Sequence, residues 1–130
     1  MIQVLSVAIA GAIGSLCRWG IGRCAVRMFG ADFPHGTLIV NVLGCFLIGL
    51  IMHIAIASDK LSSTARLTLT VGFLGALTTF SSFSYETVML INQARWSAAG
   101  INIAANLFLG LAGTLAGIAL GRFLLGGTAG

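Results

Sequence analysis

Between Gly72 and Glu86 the chain reads GFLGALTTFSSFSYE, an apolar run broken up by Gly72, Gly75, Thr78, Thr79, three serines and a carboxylate. In hydrocarbon every backbone N–H and C=O needs a partner, so irregular backbone at membrane depth survives only inside protein or along a polar cavity. The stretch therefore reads as a broken helix at an ion or substrate site. Freed from helical bonding around Gly75 to Thr78, carbonyl oxygens can serve a hard cation, as unwound membrane helices do for Na⁺ near the midplane. Placed near a two-fold axis, a pair of such oxygens from each chain would offer four ligands. Phe80 and Phe83 lie three apart and share a helix face. An aromatic ring is positive at its edge, so the pair suits an anion met edge-on. Hydroxyls and amides of Ser81, Ser82, Thr114 and Asn41 can replace part of an anion's hydration shell. With no basic residue expected at the centre, the anion is held loosely, as rapid conduction requires.

The elements that must position these groups are set by composition. Of the 130 residues 58% are hydrophobic and 8% charged, against about a quarter charged in soluble domains. The fold class expected is an all-α membrane protein of four transmembrane helices with the third broken, since at roughly 20 residues per span the length holds four and little else. Eighteen glycines beside a single proline point to close helix packing. A net charge of +4 carries no nucleic-acid signal here, because the basic residues sit mostly at the ends of apolar runs, where they anchor to headgroups. Cys17, Cys24 and Cys45 lack metal-ligand spacing and read as small packing residues. The amino terminus, apolar from Ile2 without a basic leader, reads as a retained first span. Serines and histidines without a paired acid, and no phosphate loop, argue against an enzyme.

One single-domain chain is expected, with spans at about 2–21, 37–57, 66–90 and 98–125. In the first, Gly11, Gly14 and Ser15 make a small strip for helix contact. Arg18 falls inside the apolar run and either snorkels to the interface or serves as a vestibule cation that concentrates anions. In the second, Asn41 must face protein or a water-filled path, because an unpaired amide in hydrocarbon costs several kcal/mol. His53 is expected at the interface and His35 in a loop. A polar connector carrying Asp59 and Lys60 precedes the third span. On the fourth, Asn102, Asn106, Gly110 and Thr114 recur every four residues as one polar stripe, expected to line a polar track, while Gly113, Gly117 and Gly121 form a neighbouring packing stripe. Short connections make sequential helices antiparallel.

With both termini on one side, Lys60, Arg66 and Arg122 face Arg23, Arg27 and Arg95 across the membrane. Orientation follows the Lys/Arg difference between sides, and here the sets balance. Copies are therefore expected to insert both ways up and to pair as an antiparallel, dual-topology homodimer about a two-fold axis.

Three motifs, GAIGSLCRW at Gly11 to Trp19, GTLIVNVLGCFLIG at Gly36 to Gly49 and GFLGALTTFSSFSYE, resemble the small fluoride-channel family known as CrcB or Fluc. The resemblance covers essentially the whole chain. It implies a dual-topology homodimer in the bacterial plasma (inner) membrane that exports toxic cytoplasmic fluoride passively through two pores. It implies a structural Na⁺, not transported, held by the backbone oxygens of Gly75 and Thr78. The family's phenylalanine pair matches Phe80 and Phe83, its pore asparagine Asn41, and its first-span arginine Arg18. Ser81, Ser82, Thr114 and Glu86 are added to the fluoride pathway on the same ground, although a serine common on the family's fourth helix is Gly110 here. The residues alone fit fluoride, chloride or formate equally. The runner-up is a small dual-topology, proton-coupled multidrug antiporter working through Glu86, the only carboxylate within a span. A purely structural membrane subunit is the third reading.

Overall fold

The computed structural model describes residues 1–58 and 61–126, so the expected roles of Asp59 and Lys60 lie outside the described residues. Among the described residues the elements are all helical: α1 (Ile2–Phe29), α2 (His35–Ala57), α3 (Ser63–Leu67), a π-helical turn (Thr68–Leu74), α4 (Gly75–Leu77), α5 (Phe80–Asn92) and α6 (Trp96–Gly126). Taken with Ser63–Asn92 as one crossing, four helices among the described residues are long and apolar enough to cross a membrane. Ile9, Leu16, Phe108, Leu111 and Leu115, among many large apolar side chains, are exposed. Lipid tails rather than water are the solvent that such a surface suits.

Local chemistry sets the boundaries. α1 continues past the expected span end at Ile21 to Phe29 and stops where Gly30 turns to φ 81°, a left-handed conformation that glycine adopts without strain. Pro34 precedes α2, and His35 opens that helix instead of lying in the loop, its ring 5.0 Å from those of both Phe29 and Phe33. Ser62 caps α3 by accepting the Ala65 N–H at 3.1 Å. The third crossing then widens into the π turn and ends its first half at Leu77.

Contacts fix the directions of the crossings. Along α1 and the first half of the third crossing, Gln3 meets Thr64, Ser6 meets Thr68, Ala10 meets Gly72 and Arg18 meets Thr78, so these segments run parallel. Along α2 and α6, Asn41 meets Asn106, Cys45 meets Gly110, and His53 meets Gly121, again parallel. The second half of the third crossing runs against α2, since Thr79 meets Asn41 while Glu86 meets Thr37. The four crossings therefore alternate in direction.

Missing side chains create these approaches. A Cβ on Gly117 would strike the Phe46 carbonyl, and one on Gly113 would lie 3.1 Å from the Val42 oxygen. The glycine stripe of α6 is thus a packing face against α2, which answers with Gly49 at the Thr114 carbonyl. The buried apolar cluster of Val40, Leu74 and Leu77, flanked by Ile21, Leu47, Ile48, Ile51 and Phe73, lies beside the interruption of the third crossing.

Candidate functional site

The helix breaks at the far end of the Gly75 to Thr78 stretch expected from the sequence, and the break runs one residue beyond it. Gly75 keeps helical angles (φ −62°, ψ −31°), whereas Thr78 (φ −82°, ψ 157°) and Thr79 (φ −152°, ψ 116°) are extended. Asn41 is what replaces the lost helical bonds. Its Oδ1 accepts the Thr79 N–H at 2.8 Å, and its Nδ2 donates to the Thr79 carbonyl at 3.1 Å. Both main-chain groups of one residue are satisfied by one side-chain amide, which removes the cost of irregular backbone in hydrocarbon. Gly44, one turn further along the same face of α2, leaves room for the Thr78 Cγ2, which a Cβ there would meet.

This exchange takes out of helical bonding the two carbonyls that the family resemblance names. In an unbroken helix the Gly75 oxygen would accept from the Thr79 N–H, now turned to Asn41. The Thr78 oxygen would accept from the Ser82 N–H, which instead goes to Thr79 Oγ1 at 3.1 Å as the cap of α5. Among the described residues no cluster of His, Cys, Asp or Glu could hold a metal.

The expectation of a centre without basic residues is overturned. Gly14 lets α1 seat on the Phe73 carbonyl and beside Ala76 and Leu77, and one turn on, the half-buried Arg18 donates from Nη1 to the Thr78 oxygen at 3.2 Å. The Arg18 guanidinium therefore turns inward to the break, a contact that its place in the sequence does not name.

Around the break the side chains fall into three groups. Asn41, Gly75, Thr78, Thr79, Phe80 and Phe83 share a groove of about 590 Å³. In it the Phe80 and Phe83 rings lie 5.5 Å apart at 58°, with Phe80 79% exposed on the surface of the chain. Ser81 and Ser82 belong to the cap, their Oγ atoms 3.2 and 3.1 Å from Thr79 Oγ1, and do not line the groove. Glu86 stands apart in a second cavity of about 660 Å³ at the α1–α2 turn, where its Oε1 accepts from Thr37 Oγ1 at 2.8 Å. Its Oε2 is buried with no hydrogen-bond partner among the described residues.

The polar stripe of α6 divides. Asn106 joins the site, accepting from Asn41 Nδ2 at 2.9 Å and donating to Asn102 Oδ1 at 3.1 Å. Asn102, fully buried, donates to Thr87 Oγ1 at 2.9 Å, and Thr87 donates back to the Phe83 carbonyl at 2.7 Å. Thr114 does not reach this network: its hydroxyl turns to the Gly110 carbonyl of its own helix at 3.3 Å. A continuous hydrogen-bonded path thus leads from the break through α6 to α5, tying the two halves of the site. Thr79, Thr87 and Thr37 carry bonds that no motif in the sequence marks. The i, i+4 spacing of Phe83 and Thr87 was a usable signal for the second, since Thr commonly bonds the carbonyl one turn back.

Residues 5–118 match the family model described as CrcB-like protein, Camphor Resistance (CrcB). The chain belongs to the CrcB family. Curated relatives of this CrcB chain carry the name fluoride-specific ion channel FluC. That from Rhizobium etli is 46% identical over 125 residues, 96% of this chain and 100% of its own length. That from Geobacter sulfurreducens is 45% identical across 95% of this chain and 100% of the relative. A third, from Roseiflexus sp., is 42% identical across 94% and 98%. The membership covers both halves of the third crossing and the asparagine that joins them to α2.

Proposed function

We propose that this CrcB chain forms a fluoride-selective channel through which fluoride leaves the bacterial cytoplasm across the plasma membrane, down its gradient. The observation that carries the reading is the groove in which a pinned helix break, an amide and two phenylalanine rings converge. The relatives named as fluoride channels supply the ion. Phe80 and Phe83 offer ring edges to a partly dehydrated anion, Asn41 and Asn106 offer amide donors, and the hydroxyls of Ser81, Ser82 and Thr114 serve further along the path. Arg18 adds positive charge near the break.

Two copies inserted in opposite orientations complete the conduit. The break lies at the surface of one protomer, with Phe80 and Gly75 exposed, and a second copy about a two-fold axis is the simplest cover. The Lys/Arg balance between the two sides leaves neither orientation preferred. At the shared axis the Gly75 and Thr78 oxygens of each chain fit a structural Na⁺, since backbone oxygen is the chemistry that a hard cation prefers and the break has released these two from helical bonding. The bound ion would supply fixed positive charge and a tie between the chains. The multidrug antiporter receives no support from the geometry, because Glu86 sits in a separate cavity from the aromatic pair and is held by Thr37.

Purified protein in liposomes loaded with fluoride tests the reading. Phe80→Ile and Phe83→Ile should each abolish most efflux at a fluoride electrode while the dimer persists; full efflux in both removes the aromatic role. Single cysteines placed at the chain ends, in a background lacking Cys17, Cys24 and Cys45, should be labelled from both sides of the membrane. Labelling from one side only contradicts dual topology.

A further inference from the structure

The peptide unit joining Thr78 to Thr79 is gripped at both ends. Its N–H donates to Asn41 Oδ1 at 2.8 Å and its C=O accepts from Arg18 Nη1 at 3.2 Å. The second grip is the unusual one. Among the described residues Arg18 forms no ion pair, so a half-buried positive charge is directed at the same oxygen that the proposed Na⁺ requires. Gly14, by letting α1 onto the Phe73 carbonyl, builds this approach into the backbone, while the groove itself is lined by Thr78 and not by Arg18.

A carbonyl oxygen has two lone pairs and can serve two partners. Two cations on one oxygen nevertheless repel each other, strongly where water is scarce. We propose that the Arg18 guanidinium is a tethered cation that rivals the metal for the Thr78 oxygen: it holds the break in the single chain and keeps the metal weak until a second chain brings its own oxygens. The proposal rests on the backbone Na⁺ site and adds a means by which loading is coupled to assembly. Because Asn41 fixes the same peptide plane from its N–H end, loss of Arg18 leaves the oxygen positioned and removes chiefly the competing charge.

The test is the Na⁺ dependence of stability in the purified full-length protein, read as the midpoint of thermal unfolding and the dimer fraction while Na⁺ replaces N-methyl-D-glucamine. Arg18→Gln should lower the half-saturating Na⁺ concentration by about tenfold or more. Arg18→Lys, which keeps the charge, should stay within about threefold of the wild type. Arg18→Met, which keeps an apolar stem and loses the charge, is expected to shift like Arg18→Gln and serves if the latter does not fold. A Na⁺ response found only in the neutral variants also supports rivalry, in its strongest form. Equal or weaker Na⁺ binding in the neutral variants overturns the role of Arg18 and leaves the cation site standing. No Na⁺ response in any of the proteins overturns both.

Discussion

Asn41 meets Thr79 as one β-strand meets another: its amide oxygen takes the Thr79 N–H at 2.8 Å and its amide nitrogen reaches the Thr79 carbonyl at 3.1 Å. A side chain from α2 thereby stands in for the helix that the third crossing gives up at Leu77.

Asn41→Leu should consequently destabilise the protein by about 2–4 kcal/mol, since both main-chain groups of Thr79 lose their partner in a dry interior. Asn106→Leu, which removes the bonds to Asn41 and Asn102 but leaves the Thr79 main chain paired, should cost less, about 0.6–1.7 kcal/mol for its one interhelical bond. Reversible unfolding in mixed micelles, followed by circular dichroism, ranks the two; an equal cost for both would deny Asn41 its special position.

Gly44 and Thr78 form a second, steric pair. A Cβ on Gly44 meets Thr78 Cγ2, so Gly44→Ala should destabilise by about 1–3 kcal/mol through overpacking. Serine at 78 has no Cγ2 and retains the hydroxyl that bonds the Leu74 carbonyl at 2.9 Å. In the Gly44→Ala, Thr78→Ser double variant at least half of the loss should return, a coupling that a double-mutant cycle measures directly. Strict additivity would mean that the two do not compete for this space.

The glycines of the long helices should separate cleanly by what lies opposite. Gly117→Ala drives a methyl group into the Phe46 carbonyl and should force α6 off α2, at a cost of about 1–3 kcal/mol. Gly20, with nothing within 4 Å, is the control: Gly20→Ala should be neutral or stabilise α1 by up to about 1 kcal/mol. The same unfolding assay decides, and equal behaviour would rule out close packing as the reason for Gly117.

How far the sequence carried depended on the range of the interaction. The four apolar runs, the small stripe at Gly113, Gly117 and Gly121, and the neighbourhood of Phe80 and Phe83 follow from spacing along one helix, and periodicity reports them. The stretch around Gly75 to Thr78 followed as well, but not which of its residues leave the helix, because glycine merely permits irregular backbone and the group that satisfies the extended Thr79 is Asn41, 38 residues away. The partner of Arg18 stayed hidden for a related reason. That residue's place in an apolar run says that it must find a polar partner, and only the seat of Gly14 on the third crossing shows which. The i, i+4 spacing of Gly14 and Arg18 held part of that information, since it puts both on one face of α1. Glu86 and Thr37, 49 residues apart, meet through tertiary packing that no local pattern announces. Thr114 shows the converse: the four-residue stripe was real, but its hydroxyl finds the carbonyl of Gly110 nearer than any neighbouring helix.

The measurement closest to the central claim is ion efflux from liposomes holding purified wild-type protein, recorded with fluoride and then with chloride as the internal anion. Rapid fluoride release that needs no proton gradient is expected, with chloride release no faster than from protein-free liposomes. Silence with fluoride, or equal release of both ions, would contradict that claim.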